Sequence, residues 1–105
     1  MKNDILSFTG IAMKAGKCVS GEFCVEKAVK ERKAYLVIVA TDASAASKKK
    51  YHDMCSFYNV PIVEEGDKTE LGHCIGKEFR AAAAITDKGF AEGIMKKVTQ
   101  KGGNR

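Results

Sequence analysis

The chain has 105 residues, which is enough for one domain with a hydrophobic core and too few for two. An apolar content of 45% indicates a folded protein, and a net charge of +5 suits either a nucleic-acid partner or a merely solvated surface. No run approaches the ~20 apolar residues of a membrane helix, and the N-terminus lacks a signal-peptide core, so we expect a cytoplasmic protein without membrane contact.

The positive charge is concentrated at the two ends of the sequence. Residues 1–33 carry seven Lys or Arg against four Asp or Glu, and residues 71–105 carry seven against three. Residues 41–70 have the opposite balance, with four basic side chains against six acidic ones. A fold that brings the two ends together would merge them into one positive face, as nucleic-acid binding requires.

The first third of the chain predicts two helices that flank a short extended segment. Apolar residues recur with helical spacing on both sides of the segment, and Gly16 ends the first pattern. The predicted elements are a helix from residue 3 or 4 to residue 15, an extended segment over 17–20, and a helix that opens at Gly21 and fades over residues 30–33.

Strands and helices alternate through the rest of the chain. Residues 35–40 form a continuous apolar run rich in β-branched side chains, which is typical of a strand covered on both faces. Asp67 and Glu70 have the spacing of a capping box. In order, the further predicted elements are a helix closed by Asn59, a strand over 60–63, a short helix capped by Asp67, a strand over 81–85, and a helix capped by Thr86 and Asp87.

This alternation predicts the fold class. Strands that are joined by helices imply a largely parallel or mixed sheet of about four strands between helical layers, which is a three-layer α/β/α sandwich. We expect residues 1–99 to form a single domain and residues 100–105 to form a basic tail.

Little in the sequence indicates catalysis or metal binding. The four cysteines form no CxxC pair, and the two histidines have no recognisable metal-ligand spacing, so we expect buried free thiols, no metal and no cofactor. Phosphate-binding glycine motifs are absent, and the acidic residues between 64 and 70 suit a helix start. We therefore expect a non-enzyme. A thiol enzyme centred on Cys24, near a helix N-terminus, is one alternative.

Two segments are candidates for a binding surface. The helix that opens at Gly21 presents free backbone N–H groups, with Phe23 and Lys27 one turn apart on the same face. The loop 77–80 adds two cations and Phe79, a ring that is either exposed or folded back on the core. Cations, aromatic rings and a helix N-terminus are the partners that irregular RNA needs, because they hold phosphates and stack on splayed bases. Because loops at the same strand ends of a parallel sheet meet at one edge, we expect the two segments to be neighbours, with Lys17 on the same surface.

The chain resembles a known family over nearly its whole length, from about Ile5 to Val98. The segments that carry the resemblance are 15–17, 20–22 with Val25 and Lys27, 34–40 running into 42–44, Cys55 with Tyr58 and 60–61, 70–73 with 75–77, and 86–91. Their order and spacing are similar to the kink-turn-binding superfamily of large-subunit ribosomal proteins, and most similar to its small bacterial YlxQ-like branch.

The resemblance implies the same three-layer fold and recognition of the kink-turn, a sharply bent RNA duplex with tandem sheared G·A pairs. Family members insert the N-terminus of the second helix into the widened major groove, and the loop before the last strand covers a bulged nucleotide. The residues that match these contacts here are Gly21, Glu22, Phe23, Cys24 and Lys27 in the helix, and Lys77, Glu78, Phe79 and Arg80 in the loop.

One departure affects the base contacts. The ribosomal members read Gly-x-Asn-Glu at this helix start, with the Asn and Glu side chains on guanines, whereas this chain has Phe23 and Cys24. Neither side chain can make those hydrogen bonds. Glu22, one position earlier, has a carboxylate that could accept from a guanine, and Lys27 matches the family's lysine.

The sequence thus favours a non-enzymatic cytoplasmic protein that binds kink-turn-type RNA, ribosomal or regulatory, and that is monomeric when free. In this hypothesis Lys17, Lys27 and Lys77 neutralise phosphates, and Glu22 reads a base edge. The alternative is a protein-interaction module of the same fold that acts without RNA, with Phe23 and Cys24 in its interface.

Overall fold

The computed structural model describes the backbone of residues 4–103 and the side chains of residues 4–99. Five helices and four strands alternate along this part of the chain. They are α1 (Asp4–Lys14), β1 (Cys18–Ser20), α2 (Glu22–Lys30), β2 (Leu36–Val39), α3 (Ala45–Tyr58), β3 (Ile62–Glu64), α4 (Lys68–Cys74), β4 (Ala82–Ile85) and α5 (Lys88–Gly103).

Local capping signals set several of the helix ends. The Ser44 side chain accepts from Ser47 N at the start of α3, and Asn59 ends that helix in the left-handed conformation. The Asp87 carboxylate accepts from Phe90 N at 2.9 Å in the first turn of α5. Because such signals act over three or four residues, the sequence locates these ends closely.

The sheet is mixed, with the strand order β1-β4-β2-β3. β4 pairs antiparallel with both β1 and β2, and only β2 and β3 are parallel. Of the two sheets that the alternation allows, the structure therefore has the mixed one. β1, β2 and β3 all end at one edge of the sheet, which is also the edge where β4 begins.

Helices cover both faces of the sheet. α1, α4 and α5 pack on one face with Leu36 and Ile38 of β2, while α2 and α3 pack on the other with Val37 and Val39. All four β2 side chains are buried, as the unbroken apolar run predicts. This arrangement confirms the three-layer α/β/α sandwich.

The last helix extends further than the sequence indicates. Its backbone remains helical to Gly103, so residues 100–103 of the predicted tail belong to α5, and residues 104 and 105 lie outside the described chain. None of the helices within residues 4–103 is long and apolar enough to cross a membrane.

Candidate nucleic-acid interface

The two candidate segments lie side by side at one edge of the sheet. The Gly21 N–H donates to the Ala82 carbonyl at 3.2 Å, and Arg80 Nε donates to Ser20 Oγ at 3.3 Å. A parallel sheet would bring together the ends of two strands, but here the end of β1 meets the beginning of β4 because these strands are antiparallel. The expected proximity is present, and antiparallel pairing is its cause.

The start of α2 leaves its first amides without a side-chain cap. Gly21 occupies the N-cap position with φ 92° and ψ 153°, a conformation that side chains disfavour, and it has no side chain to offer. The N–H groups of the first turn, from Glu22 to Cys24, therefore form a positive end that a phosphate or a base acceptor can approach.

The side chains of this first turn point outward. Phe23 is 77% exposed, although an apolar ring of this size is normally at least partly covered. Cys24 and Lys27 are exposed too. The second helix thus presents an aromatic ring, a thiol and a cation at the same end.

Cys24 corrects the expectation that all four thiols are buried. Cys18 and Cys55 are buried and Cys74 is partly buried, but Cys24 is exposed, because its position on α2 points away from the sheet. Burial raises the pKa of Cys18 to about 12 and the pKa values of Cys55 and Cys74 to about 11. These three thiols stay protonated at neutral pH.

Glu22 already has an ionic partner from the neighbouring helix. Lys50 Nζ on α3 lies 2.7 Å from Glu22 Oε2 and 3.2 Å from Glu26 Oε1. Lys30 Nζ contacts the other oxygen of Glu26 at 2.7 Å. The side-chain hydrogen bonds from Lys30 and Lys50 lower the pKa of Glu26.

Sequence reasoning did not assign Lys50 to this surface. Lys50 is one of three adjacent lysines, 48–50, that are alike in sequence. In the structure their partners differ, since Lys48 pairs with Glu64, Lys49 with Asp53, and only Lys50 reaches α2. The packing of α3 beside α2 makes this distinction.

The loop 77–80 is held by hydrogen bonds at both of its ends. Lys77 N donates to the Gly72 carbonyl at 2.9 Å, and Arg80 N donates to the Lys68 carbonyl at 3.0 Å. Between them the Phe79 side chain is 58% exposed. Of the two predicted alternatives, an exposed ring is therefore correct, and a ring folded back on the core is wrong. Lys77 and Glu78 are also exposed. The loop is therefore a fixed support for these side chains.

The Arg80 side chain makes hydrogen bonds to other groups of the protein. Its Nη1 donates to the Phe79 carbonyl at 2.8 Å, and its Nε donates to Ser20. The half-buried guanidinium thereby joins the loop to the end of β1. Part of its donor capacity remains for a ligand, since a guanidinium has five N–H groups.

Gly72 allows the loop to lie directly on α4. A Cβ at this position would be 2.7 Å from Phe79 N, closer than side-chain carbons approach a backbone atom. The glycine therefore brings the backbone of Phe79 against the helix, and this contact determines where the exposed ring stands.

Lys17 lies at the opposite edge of the sheet. Its carbonyl accepts from Thr86 N at 2.9 Å, which places it where β1 begins and β4 ends. β1 separates it from Gly21, so the structure does not group Lys17 with the other predicted site residues. Its side chain is exposed at that edge.

The described residues contain no cluster of three or more His, Cys, Asp or Glu side chains that could hold a metal ion. His52 Nε2 lies 3.0 Å from Glu64 Oε2, and Lys48 Nζ lies 3.2 Å from the other oxygen of the same carboxylate. These contacts join α3 to the end of β3, so a structural role accounts for them.

Comparisons with known proteins agree with this architecture. Residues 3–94 match the model of the ribosomal protein L7Ae/L30e/S12e/Gadd45 family. The chain is 42% identical over 86 residues to the RNA-binding protein YlxQ of Bacillus subtilis strain 168, covering 82% of this chain and 86% of that one. It is 40% identical over 87 residues to YlxQ of Enterococcus faecium, covering 83% and 84%.

A solved structure shows the same fold. The 15.5kD RNA binding protein of Giardia lamblia superposes with a TM-score of 0.79 at 24% identity, covering 95% of this chain and 92% of that one. The relatives bear the names of RNA-binding and ribosomal proteins and not of enzymes, which confirms the expectation of a non-enzyme at the level of the family. The resemblance to the YlxQ-like branch is likewise confirmed. The chain belongs to the ribosomal protein L7Ae/L30e/S12e/Gadd45 family.

Proposed function

We propose that this protein binds RNA and recognises kink-turn-type structures in ribosomal or regulatory RNA. The observation that carries the proposal is the junction of the α2 start with the loop 77–80, which the Arg80–Ser20 and Gly21–Ala82 hydrogen bonds hold together. Relatives named as RNA-binding proteins support the RNA partner. The alternative module that acts without RNA has no such support.

The phosphate contacts in this proposal come from both segments. The first turn of α2 enters the widened major groove, where its free amides and Lys27 meet the phosphate backbone. Lys77, on the adjacent loop, contacts the strand that leaves the bend. Because Lys17 lies at the opposite edge of the sheet, it is not part of this surface.

Base recognition relies on different side chains from those of the ribosomal members. Glu22 is the acceptor for the N–H groups of a guanine edge, since Phe23 and Cys24 cannot accept in that geometry. The exposed rings of Phe23 and Phe79 provide stacking surfaces for unpaired bases. Glu78 is the acidic group of the loop, and its carboxylate suits a base amino group, while the free N–H groups of Arg80 can donate to RNA.

A paired titration tests the proposal. The protein is titrated with a kink-turn RNA and with the same RNA whose G·A pairs have been changed to Watson–Crick pairs, in a gel-shift assay at fixed salt. We expect tighter binding to the kink-turn, because only the bent RNA offers a widened groove and a bulged base. Equal affinity for the two RNAs contradicts kink-turn recognition, and no binding to either contradicts RNA binding.

We further propose that the protein is monomeric and cytoplasmic. Light scattering after size exclusion checks the first point, and a mass near 11.4 kDa is expected. Fluorescence of a tagged chain in cells checks the second.

A further inference from the structure

The contact between Lys50 and the first turn of α2 bears on how RNA is read, and the inference drawn from it rests on the function proposed above. Lys50 comes from α3, 28 residues away in sequence from Glu22. It bridges Glu22 and Glu26, two carboxylates that lie one helical turn apart. Glu22 is the closer partner of the Lys50 ammonium, at 2.7 Å against 3.2 Å for Glu26, which Lys30 also contacts.

This arrangement contributes little to folding. The Glu22 side chain is 68% exposed and that of Lys50 is 39% exposed, and ion pairs in contact with water add little stability. Its geometrical effect is larger. A glutamate at the first position of a helix has several rotamers, and an ammonium 2.7 Å from Oε2 selects the one that turns the carboxylate toward α3.

One oxygen of the Glu22 carboxylate remains available in this rotamer. Lys50 engages Oε2 of Glu22, while within residues 4–99 Oε1 makes no hydrogen bond. A carboxylate oxygen at the first position of the uncapped helix matches a guanine edge, which presents N–H donors.

We propose that Lys50 is a positioning residue that holds the Glu22 carboxylate in the orientation that reads a guanine edge. Lys50 acts on selectivity between RNAs through Glu22. A lysine that contacted RNA directly would instead strengthen binding to all RNAs by a similar factor, as a phosphate contact does.

A double-mutant cycle tests this proposal. Affinities for the kink-turn RNA and its Watson–Crick counterpart are measured for the wild type, Lys50→Met, Glu22→Ala and the double variant. We expect Lys50→Met to lower the ratio of the two affinities by about two- to fivefold, which is the range that an exposed ion pair can contribute by holding one orientation. In the Glu22→Ala background, which has no carboxylate to hold, the same change should leave the ratio unaltered.

Two further variants separate positioning from charge and from folding. Lys50→Arg keeps a cation that can hydrogen bond to Glu22, so it should retain most of the wild-type ratio. Lys49→Met removes the neighbouring lysine, which pairs with Asp53 on its own helix, and should leave the ratio unchanged. Thermal unfolding confirms that each variant is folded.

The outcomes are distinct. An unchanged ratio in Lys50→Met, or an equal loss with and without Glu22, overturns the positioning role while kink-turn recognition stands. A smaller salt dependence of Lys50→Met with no change in the ratio also overturns it, since that result assigns Lys50 to a phosphate. If the wild type itself does not distinguish the two RNAs, the proposed function fails and this inference fails with it.

Discussion

Helices α2 and α4 begin at the same edge of the sheet, and their first turns are built in opposite ways. At α4 the Asp67 carboxylate accepts from Glu70 N at 2.7 Å, Glu70 Oε1 accepts from Asp67 N at 2.9 Å, and the Asp42 carboxylate accepts from Lys68 N at 2.8 Å. At α2 the capping residue is Gly21, and the first turn carries the exposed Phe23.

The difference shows how one physical feature serves two purposes. Every α-helix begins with unpaired N–H groups and a partial positive charge. The α4 start satisfies them with the protein's own acids, which also attach the segment after β3 to the turn after β2. The α2 start leaves them available, so in the proposed complex α4 supports the site and α2 contacts RNA.

The largest expected effect comes from disturbing the support. Gly72→Val places a side chain where the backbone of Phe79 lies, and overpacking of this kind costs about 1–3 kcal/mol of unfolding free energy. We expect a lower melting temperature by circular dichroism and weaker RNA binding because the loop 77–80 is displaced. Glu92→Ala, at an exposed position of α5, is the control and should not lower stability. A melting temperature equal to that of the wild type would contradict the close contact at Gly72.

The next largest expected effect comes from a change in α2, which contacts RNA in the proposed complex. Lys27→Ala removes one phosphate partner, so affinity should fall roughly five- to tenfold at about 0.1 M salt, with the salt slope reduced by about one. The melting temperature should not change, because Lys27 is exposed. Lys88→Ala removes an exposed lysine at the opposite sheet edge and should retain affinity. Equal losses in the two variants would show that net charge, rather than the α2 start, controls binding.

Asp67→Ala tests the supporting helix without changing the RNA surface. Loss of the capping box should cost about 1 kcal/mol of stability. RNA affinity should stay close to that of the wild type once the variant is fully folded, because Asp67 contributes no contact in the proposed complex. Chemical denaturation measures the first quantity and gel-shift titration the second. A loss of affinity larger than the loss of stability would assign the α4 start to the RNA surface as well.

The smallest effect is the pH dependence at the end of β3, just before α4. The side chains of His52 and Lys48 lower the pKa of Glu64 through hydrogen bonds. A carboxyl group whose pKa is lower in the folded state stabilises the fold above its unfolded pKa, and this contribution is lost as the pH falls through the folded pKa. The wild type should therefore lose more stability than Glu64→Gln between about pH 5 and pH 3. If the stability of the two proteins falls equally with pH, the contacts of Glu64 with His52 and Lys48 contribute no pH-dependent stability.

Much of the fold was predictable because its signals are local. The Asp67 box, the Ser44 and Asp87 caps and the left-handed Asn59 each act over three or four residues, and the buried run of β2 is continuous. The parts of the candidate site that follow from local patterns, the α2 start and the loop 77–80, were located in the same way. Their roles in RNA binding remain predictions.

Local sequence patterns were sufficient to predict the order of helices and strands, the three-layer sandwich and the helix start after Ser20. The other features of the site depend on contacts that form only in the folded chain. Antiparallel pairing of β1 with β4 joined Arg80 to Ser20 across 60 residues and moved Lys17 to the other edge. The packing of α3 on α2 singled out Lys50 from three adjacent lysines. These contacts join side chains distant in sequence, and no pattern of neighbouring residues encodes them.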